Sequence, residues 1–484
     1  MSAYQLVWFR QDLRIVDHSA LWHARQTGPC IALVTLSPVQ WQQHDDAMIK
    51  IDLYLRQLKV LKEQLKQLNI PIIIQTIPLW KEVPEFLLEC CQSLSVQQIH
   101  AHIEAGINEQ QRDQDCQQLL DTSGIALTLY QDRTLFPFGS ITNQNGQPYQ
   151  VFGAFKKACY SRLEIALPKC YTEITAQNPI TLPALDQFQQ TAPDIRQLCD
   201  IPVPESIQQL WPACENHAHT LLEQFLENHV QHYHIERDFP AHSGTSQLSA
   251  YLNIGVLSIR QCIQALFRHQ SGYFVPEQEG QSIWLDELLW REFYQHILYQ
   301  FPNVSKYLPF KANAQNIPWQ DDKTALTAWQ QGQTGIPIVD AGMRQLLATG
   351  WMHNRVRMIT AMFLCKNLLI DWRQGEQWFM QHLIDGDLAA NNGGWQWCAS
   401  TGTDSVPYFR IFNPVSQSRK FDPEGQYIRT WIPELAHLDA KTIHAPYESK
   451  TVQQLDYPKP IVDLKYSRAR AIDHFKQYLW NLYS

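Results

Sequence analysis

Residues 4–36 read YQLVWFRQDLRIVDHSALWHARQTGPCIALVTL. Two short apolar runs, YQLVWF (4–9) and CIALVTL (30–36), bracket a stretch of mixed polarity. Similar runs follow at PIIIQTI (71–77), VQQIHAHI (96–103) and IALTLYQ (125–131). Between them, MIKIDLYLRQLKVLKEQLKQL (48–68) has its apolar positions at helical spacing. Alternating strand and helix patterns predict a Rossmann-like α/β domain over 1–131, with a mostly parallel sheet covered by helices on both faces. No GxGxxG follows the first run, so a conventional dinucleotide site is not supported.

Farther along, the pattern changes. Prolines recur in NPITLPALDQF (178–188) and TAPDIRQLCDIPVPES (191–206), and only VFGAFKKACYSRL (151–163) reads as helical. The expectation is an interdomain linker over 132–210. From 211 to 484 the pattern is helical nearly throughout, which predicts an all-α domain.

Bulk properties narrow the function classes. A chain of 484 residues exceeds one ordinary core. Apolar content of 45% and charged content of 18% describe a soluble globular protein. No run of 18 apolar residues exists, so no membrane span is expected. The amino-terminal residues lack a signal-peptide pattern, and the last ones carry no lipidation box. Eleven cysteines without CxxC spacing point to reduced thiols, a cytoplasmic location and no zinc site. Only Cys365 and Cys398 follow residue 262, too few for a four-cysteine cluster in the helical part. The net charge of −8 disfavours nonspecific polyanion binding and leaves room for a local basic patch. Arg355, Arg357, Lys366 and Arg373 face only Asp371 between 351 and 373. Of 16 tryptophans, 12 lie after residue 210, so that part either has a large aromatic core or uses flat π surfaces.

Four stretches carry candidate chemistry. Trp351, Asn354, Arg355 and Met358 recur at helical spacing, a mixture that suits a ligand with flat and polar parts; a boundary helix is the bland alternative. In WLDELLWREFYQHI (284–297), Trp284, Glu287, Trp290, Arg291 and Tyr294 also group by threes and fours, either as a salt-bridged surface or as a carboxylate in an aromatic-walled pocket. In GTSQLSAYLNIG (244–255), Thr245 or Ser246 is expected to cap a helix starting near Gln247, an end that could also bind phosphate. In LIDGDLAANNGGWQWCASTGTD (383–404), Asp385 and Asp387 stand two apart beside amides, glycines and tryptophans. His382 is the only other nearby metal-ligand type, so no metal is expected there. His229, His232 and His234 are read as a solvated amphipathic helix, and GxSxG is absent.

Taken together, these stretches resemble the photolyase–cryptochrome family, most closely the class I cyclobutane pyrimidine dimer photolyases. The resemblance rests on VWFRQDLRIVDHSAL (7–21), GTSQLSAYL (244–252), WLDELLWREFYQHI (284–297), TGIPIVDAGMRQLLATGWMHNRVRMI (334–359), residues 383–404 and PYFRIFNP (407–414). It implies FAD held in a U shape in the helical domain. The cofactor's phosphates would sit at Thr245, Ser246, Gln247, Leu248 and Ser249, with Tyr233 nearby. Trp284, Arg291, Trp351, Asn354 and Arg357 would line its cavity. Asp385, Gly386 and Asp387 would meet the flavin edge and ribose, and Asn391 would face N5.

The resemblance further implies a carbon–carbon lyase that splits cyclobutane pyrimidine dimers in DNA by light-driven electron transfer to a flipped-out lesion. Glu287, Trp290, Asn354, Arg355, Met358 and Trp397 would form the lesion pocket, and Arg291, Tyr294 and Gln417 would contact DNA. Six-four photolyases carry a histidine pair where this chain has Asn354 and Met358, which favours the cyclobutane substrate. Trp395, Trp372 and Trp319 match the family's tryptophan triad for reducing the resting flavin. His44, Asn108, Glu109 and Lys306 match contacts to an antenna, implying 5,10-methenyltetrahydrofolate as second chromophore. Gln247 departs from the basic residue that relatives commonly place there. A monomer is expected. The rival is a cryptochrome-type blue-light photoreceptor without repair; intact dimer-pocket residues and only about 50 residues beyond the family core count against it. A dark flavin oxidoreductase has no motif to support it.

Overall fold

The computed structural model describes residues 4–198, 202–268, 274–276, 278–448 and 455–480. The chain packs as two compact units. The first comprises 1–149, 153–230 and 246–302; the second comprises 150–152, 231–245 and 303–484.

Five strands build the sheet of the first unit: β1 (Tyr4–Phe9), β2 (Cys30–Leu36), β3 (Ile72–Thr76), β4 (Val96–His102) and β5 (Ala126–Tyr130). Their order is β3-β2-β1-β4-β5 and every pairing is parallel, with Val7 opposite Ala32 on one side and His100 on the other. Side chains alternate between two buried layers. Leu6, Trp8, Ile31, Leu33 and Ile73 face one layer, which the helices Val83–Leu94 and Ile107–Asp121 cover through Leu87, Cys91 and Cys116. Val7, Phe9, Ala32, Val34 and Ile74 face the other, covered by Ser19–Thr27 and Met48–Gln67 through Leu21, Leu55 and Leu58.

The strand order reverses at β1, and buried charge gathers at the carboxyl ends there. Arg14 donates to Asp132 at 2.6 Å, and Arg260 donates to both Asp132 (2.5 Å) and Asp17 (3.0 Å). His102 lies 2.5 Å from Asp12, and His18 lies 3.2 Å from it.

Residues 132–210 do not form a free connection. Leu185 and Phe188 complete one apolar layer of the sheet, and Ala192 and Ile195 complete the other. The helix Phe152–Ile165 presses Phe155 against Phe293 at 5.2 Å. The compact units therefore do not follow the boundaries expected at 131 and 210. Scattered apolar residues between prolines lack a period, yet each still gains by burial on the sheet.

Among the described residues, the regular structure of the second unit is helical. Pro337–Thr349, Asn354–Met362, Trp372–His382 and Leu388–Ala399 surround a core that includes Trp329, Met343, Met352, Val356, Trp372 and Trp395. A π-helical turn, Phe363–Leu368, separates the second and third of these helices. No helix among the described residues is long and apolar enough to cross a membrane.

Candidate functional site

The second unit brings most of the expected polar residues together. Helix Pro337–Thr349 ends at Gly350, whose φ of +70° is left-handed and suits glycine. Residues 351–353 are non-helical, and a new helix starts at Asn354, capped by His353 Nδ1 accepting from Arg355 N at 3.2 Å. Trp351 therefore does not share a helical face with Asn354, Arg355 and Met358, as its spacing had suggested; the Gly350 cap intervenes. Burial pulls the His353 imidazole down to about 4, so the cap stays neutral and able to accept.

Arg357 donates through Nε to the Met352 carbonyl (2.7 Å) and through Nη2 to Asp385 (2.9 Å). Asp385 is buried, and Gly386 leads to Asp387, which caps helix Leu388–Ala399 by accepting from Ala390 N at 2.9 Å. One turn on, Asn391 donates Nδ2 to the Glu376 carbonyl at 2.9 Å, leaving its Oδ1 to accept from a ligand N–H. Beside Gly394, no atom lies within 4 Å of where a Cβ would stand. A guanidinium–carboxylate pair, an amide acceptor and a half-buried Trp351 form a donor set that fits FAD, with polar edges and hydroxyls to bond and a flat ring to cover.

Arg355 donates to Asp238 at 2.7 Å and stacks over Phe421 at 4.5 Å. Asn354 is exposed, while Met358, Trp397 and Gln417 are half-buried. Tyr233 is buried at the start of the short helix Tyr233–Glu236.

Trp395 and Trp372 lie in one apolar core of this unit, and Trp319 packs against it. Trp395 is buried and meets Phe379 at 5.0 Å and Trp329 at 5.9 Å. It packs against Gly375, where any Cβ would collide with its ring, and Gly375 is one turn beyond Trp372 on the same helix. Gln320 N donates to Leu369 O at 2.7 Å, tying the segment that carries Trp319 close to the start of that helix. Trp319 meets Phe475 edge-on at 5.8 Å. Phe379, Trp329 and Phe475 were not singled out from the sequence, because an apolar ring in a helical pattern looks the same whether it fills a core or lines a route.

In the first unit, helix Glu279–Gln300 carries the second group. Trp284 is buried against Phe225 (5.2 Å), and Trp290 is half-buried, with Tyr294 at 5.5 Å. Glu287 is half-buried. Arg291 donates to the Arg133 carbonyl at 2.7 Å. The fully buried acid of this helix is Glu292, which accepts from Leu135 N and Phe136 N at 2.8 and 3.0 Å; sequence reading missed it.

The expected cap at Thr245 or Ser246 is not formed. Gln247 adopts φ +51°, so the helix begins only at Ser249, with Leu248 at the cap position, and runs to Asn253. Thr245 belongs to the second unit and Ser246–Ser249 to the first.

Of the antenna candidates, His44 and Asn108 meet at 3.0 Å in the first unit, with Gln40 at 2.9 Å from the same His44 nitrogen and Trp80 edge-on to the ring. Burial lowers the pKa of His44. Glu109 folds back over Gly106, and burial together with Glu104 pushes its carboxyl up to about 7. Lys306 is exposed in the second unit. A cleft of about 50 Å³ lined by Arg10, Trp41, Lys50, Tyr54, Trp80 and Arg112 lies in the first unit. A larger groove of about 370 Å³ in the second unit contains none of the expected residues.

Among the described residues, Asp12, His18 and His102 are the only group spaced to ligate a metal. Most of their atoms are already engaged, while His18 Nε2 lies 3.2 Å from Asp12 without a hydrogen bond. His18 Nδ1 accepts from Leu21 N, and His102 Nε2 meets Ser19 Oγ and Ala20 N while its Nδ1 meets Asp12. The cluster pins the start of helix Ser19–Thr27 to the sheet.

Residues 5–173 match the family described as DNA photolyase, and residues 284–477 match the FAD binding domain of DNA photolyase. The chain is 43% identical to a deoxyribodipyrimidine photo-lyase of Vibrio cholerae, covering 98% of this chain and 99% of the relative. It is 41% identical to one of Escherichia coli, covering 96% and 97%. Its fold is similar to a bacterial class III photolyase from Agrobacterium tumefaciens (TM-score 0.85, 30% identity, covering 99% of this chain and 98% of that one). It is also similar to a cryptochrome of Synechocystis (TM-score 0.83, 27% identity, covering 98% and 99%). With near full-length relatives above 40% identity and both parts of the family signature in place, the chain belongs to the DNA photolyase family.

Proposed function

We propose that this chain is a light-dependent DNA repair enzyme that splits cyclobutane pyrimidine dimers, acting as a monomer. The observation that carries the reading is the near full-length identity to photo-lyases. Glu287, Trp290, Asn354 and Met358 are the residues that the resemblance read from the sequence assigns to the lesion pocket. A photoreceptor without repair is less favoured, because the cryptochrome likeness is the weaker in identity.

When bound, reduced FAD supplies the photoexcited electron that opens the cyclobutane ring and takes it back afterwards. The chain's own residues hold and tune. Arg357 and Asp385 would hold the cofactor's polar groups, and their pairing at 2.9 Å fixes each other's orientation. Asn391, with its donors committed to Glu376, offers Oδ1 to a flavin N–H and no acidic proton. Glu287 hydrogen-bonds a thymine edge through its carboxyl, and Trp290 offers a stacking wall. Arg355, held by Asp238 and Phe421, presents a positive charge to the DNA backbone, so binding weakens steeply with salt if several phosphates are engaged. Trp395, Trp372 and Trp319 pass charge during activation. His44, Asn108 and Glu109 hold 5,10-methenyltetrahydrofolate as second chromophore; a neutral imidazole, an amide and a carboxyl that keeps its proton near neutrality suit the ring edge of a pterin.

Illumination of pre-reduced protein with an oligonucleotide carrying one dimer is expected to restore thymine absorbance. Loss of that recovery despite bound FAD would move the assignment to the photoreceptor. Mass analysis of chromophores released on denaturation tests the folate; release of a deazaflavin, or of FAD alone, rejects it.

A further inference from the structure

Lys366 is fully buried on the π-helical turn Phe363–Leu368 of the second unit. Its Nζ donates to Ser400 Oγ at 2.8 Å and to the Ala399 carbonyl at 3.3 Å. The ammonium sits 3.4 Å from the centre of the Phe475 ring, and that ring meets Trp319 at 5.8 Å. Lys366 is therefore no farther from Trp319 than those two separations combined. Among the described residues, no carboxylate lies within ion-pairing distance of Lys366.

Its charged surroundings are unfavourable to a second positive charge. Cys365 stands beside it, and Cys398 faces it from helix Leu388–Ala399; both thiols are pushed up by burial and are neutral. Lys311, which donates to the Ser400 carbonyl, adds a cation on one side. His474 and Arg470 face it from helix Leu464–Phe475. Asp371, the nearest acid along the chain, is paired with Arg373 at 3.0 Å.

We propose that Lys366 is a positioning residue for charge in the tryptophan chain, gating oxidation of Trp319: protonated, it opposes a positive charge on that indole, and neutral, it permits one. This rests on the hopping role proposed for Trp395, Trp372 and Trp319. The step is a single electron passing from Trp319 to oxidised Trp372. No bond forms or breaks in it, and the initial oxidant is photoexcited oxidised flavin. The hole left on Trp319 has to outlast its return, so a nearby fixed charge changes the yield. Burial pulls the Lys366 ammonium down to about 7, which places the switch in the physiological range. A unit charge at such a separation changes the equilibrium by between about twofold and twentyfold, depending on local screening.

The test is the pH profile of flavin photoreduction in the holoprotein. In the unaltered chain the yield is expected to rise as pH increases through about 7. K366R keeps its charge and should hold the low-pH yield throughout. K366M removes the charge at similar length and should hold the high-pH yield throughout. A readout independent of the cofactor is the Lys366 side-chain NMR signal, identified by its loss in K366M, which should titrate near neutrality in cofactor-free protein. W319F separates the two readings. If W319F leaves photoreduction unchanged, the hopping route and the gate both fall. If W319F suppresses photoreduction but K366R and K366M retain the original pH profile, the gate alone falls.

Discussion

Asp132 in the first unit and Lys366 in the second are both buried ionisable groups, and their surroundings are opposites. Asp132 is held between Arg14 and Arg260, and these guanidinium groups keep its carboxyl far below the usual range although burial works against them. Lys366 has a hydroxyl, a backbone carbonyl and an aromatic face. The cluster around Asp132 neutralises its buried charge inside a fixed lattice. Lys366 in the second unit has no carboxylate within ion-pairing distance among the described residues and is held by neutral groups alone.

Removing a buried charge should therefore act in opposite directions. Asp132→Ala leaves Arg14 without its carboxylate and Arg260 with Asp17 alone, and a loss of about 3–5 kcal/mol in chemical unfolding is expected; a loss below about 1 kcal/mol would erase the contrast. Acid should act next most strongly. Burial pulls His18 in the first unit and His353 in the second to about 4. Unfolded histidine takes a proton near 6.5 and these folded ones do not, so their contribution is full above about 6.5. It is lost as pH falls from there toward about 4, by a few kcal/mol in all. Denaturant midpoints across this window check it, and His353→Gln should flatten part of the slope. Gly375→Ala forces a methyl into the Trp395 ring and should cost about 1–3 kcal/mol while shifting tryptophan fluorescence. Smallest of all, Lys366→Met should stabilise the protein at neutral pH by up to about 1 kcal/mol, since no opposite charge is stranded and only a hydroxyl and a backbone carbonyl lose a donor. Destabilisation there would show that its hydrogen bonds outweigh its desolvation.

The strands were legible because both faces of the sheet are buried: CIALVTL is β2 from end to end, and the other four runs differ from the observed strands by at most two residues. The helices Met48–Gln67 and Glu279–Gln300 were equally plain from their period. Gly350 was visible as a letter, but its capping role was not, so Trp351 was placed on the wrong element. The same holds for Gln247, whose positive φ depends on tertiary context and carries no signal in the side chain. Site residues such as Arg357 and Asp385 could be named by resemblance, yet their mutual pairing needed coordinates. Glu292 and Lys366 were hidden, because a charged residue in a helical pattern reads as solvated until its neighbours are known.

The first unit is assembled from three separate lengths of chain, and Arg260, which ties Asp17 to Asp132, arrives on the last of them. A ribosome that has delivered all five strands has therefore delivered a sheet whose acidic pair still lacks its outer clamp. A nascent chain halted shortly after β5 should be far more open to protease at the Asp17 turn than one halted past residue 302.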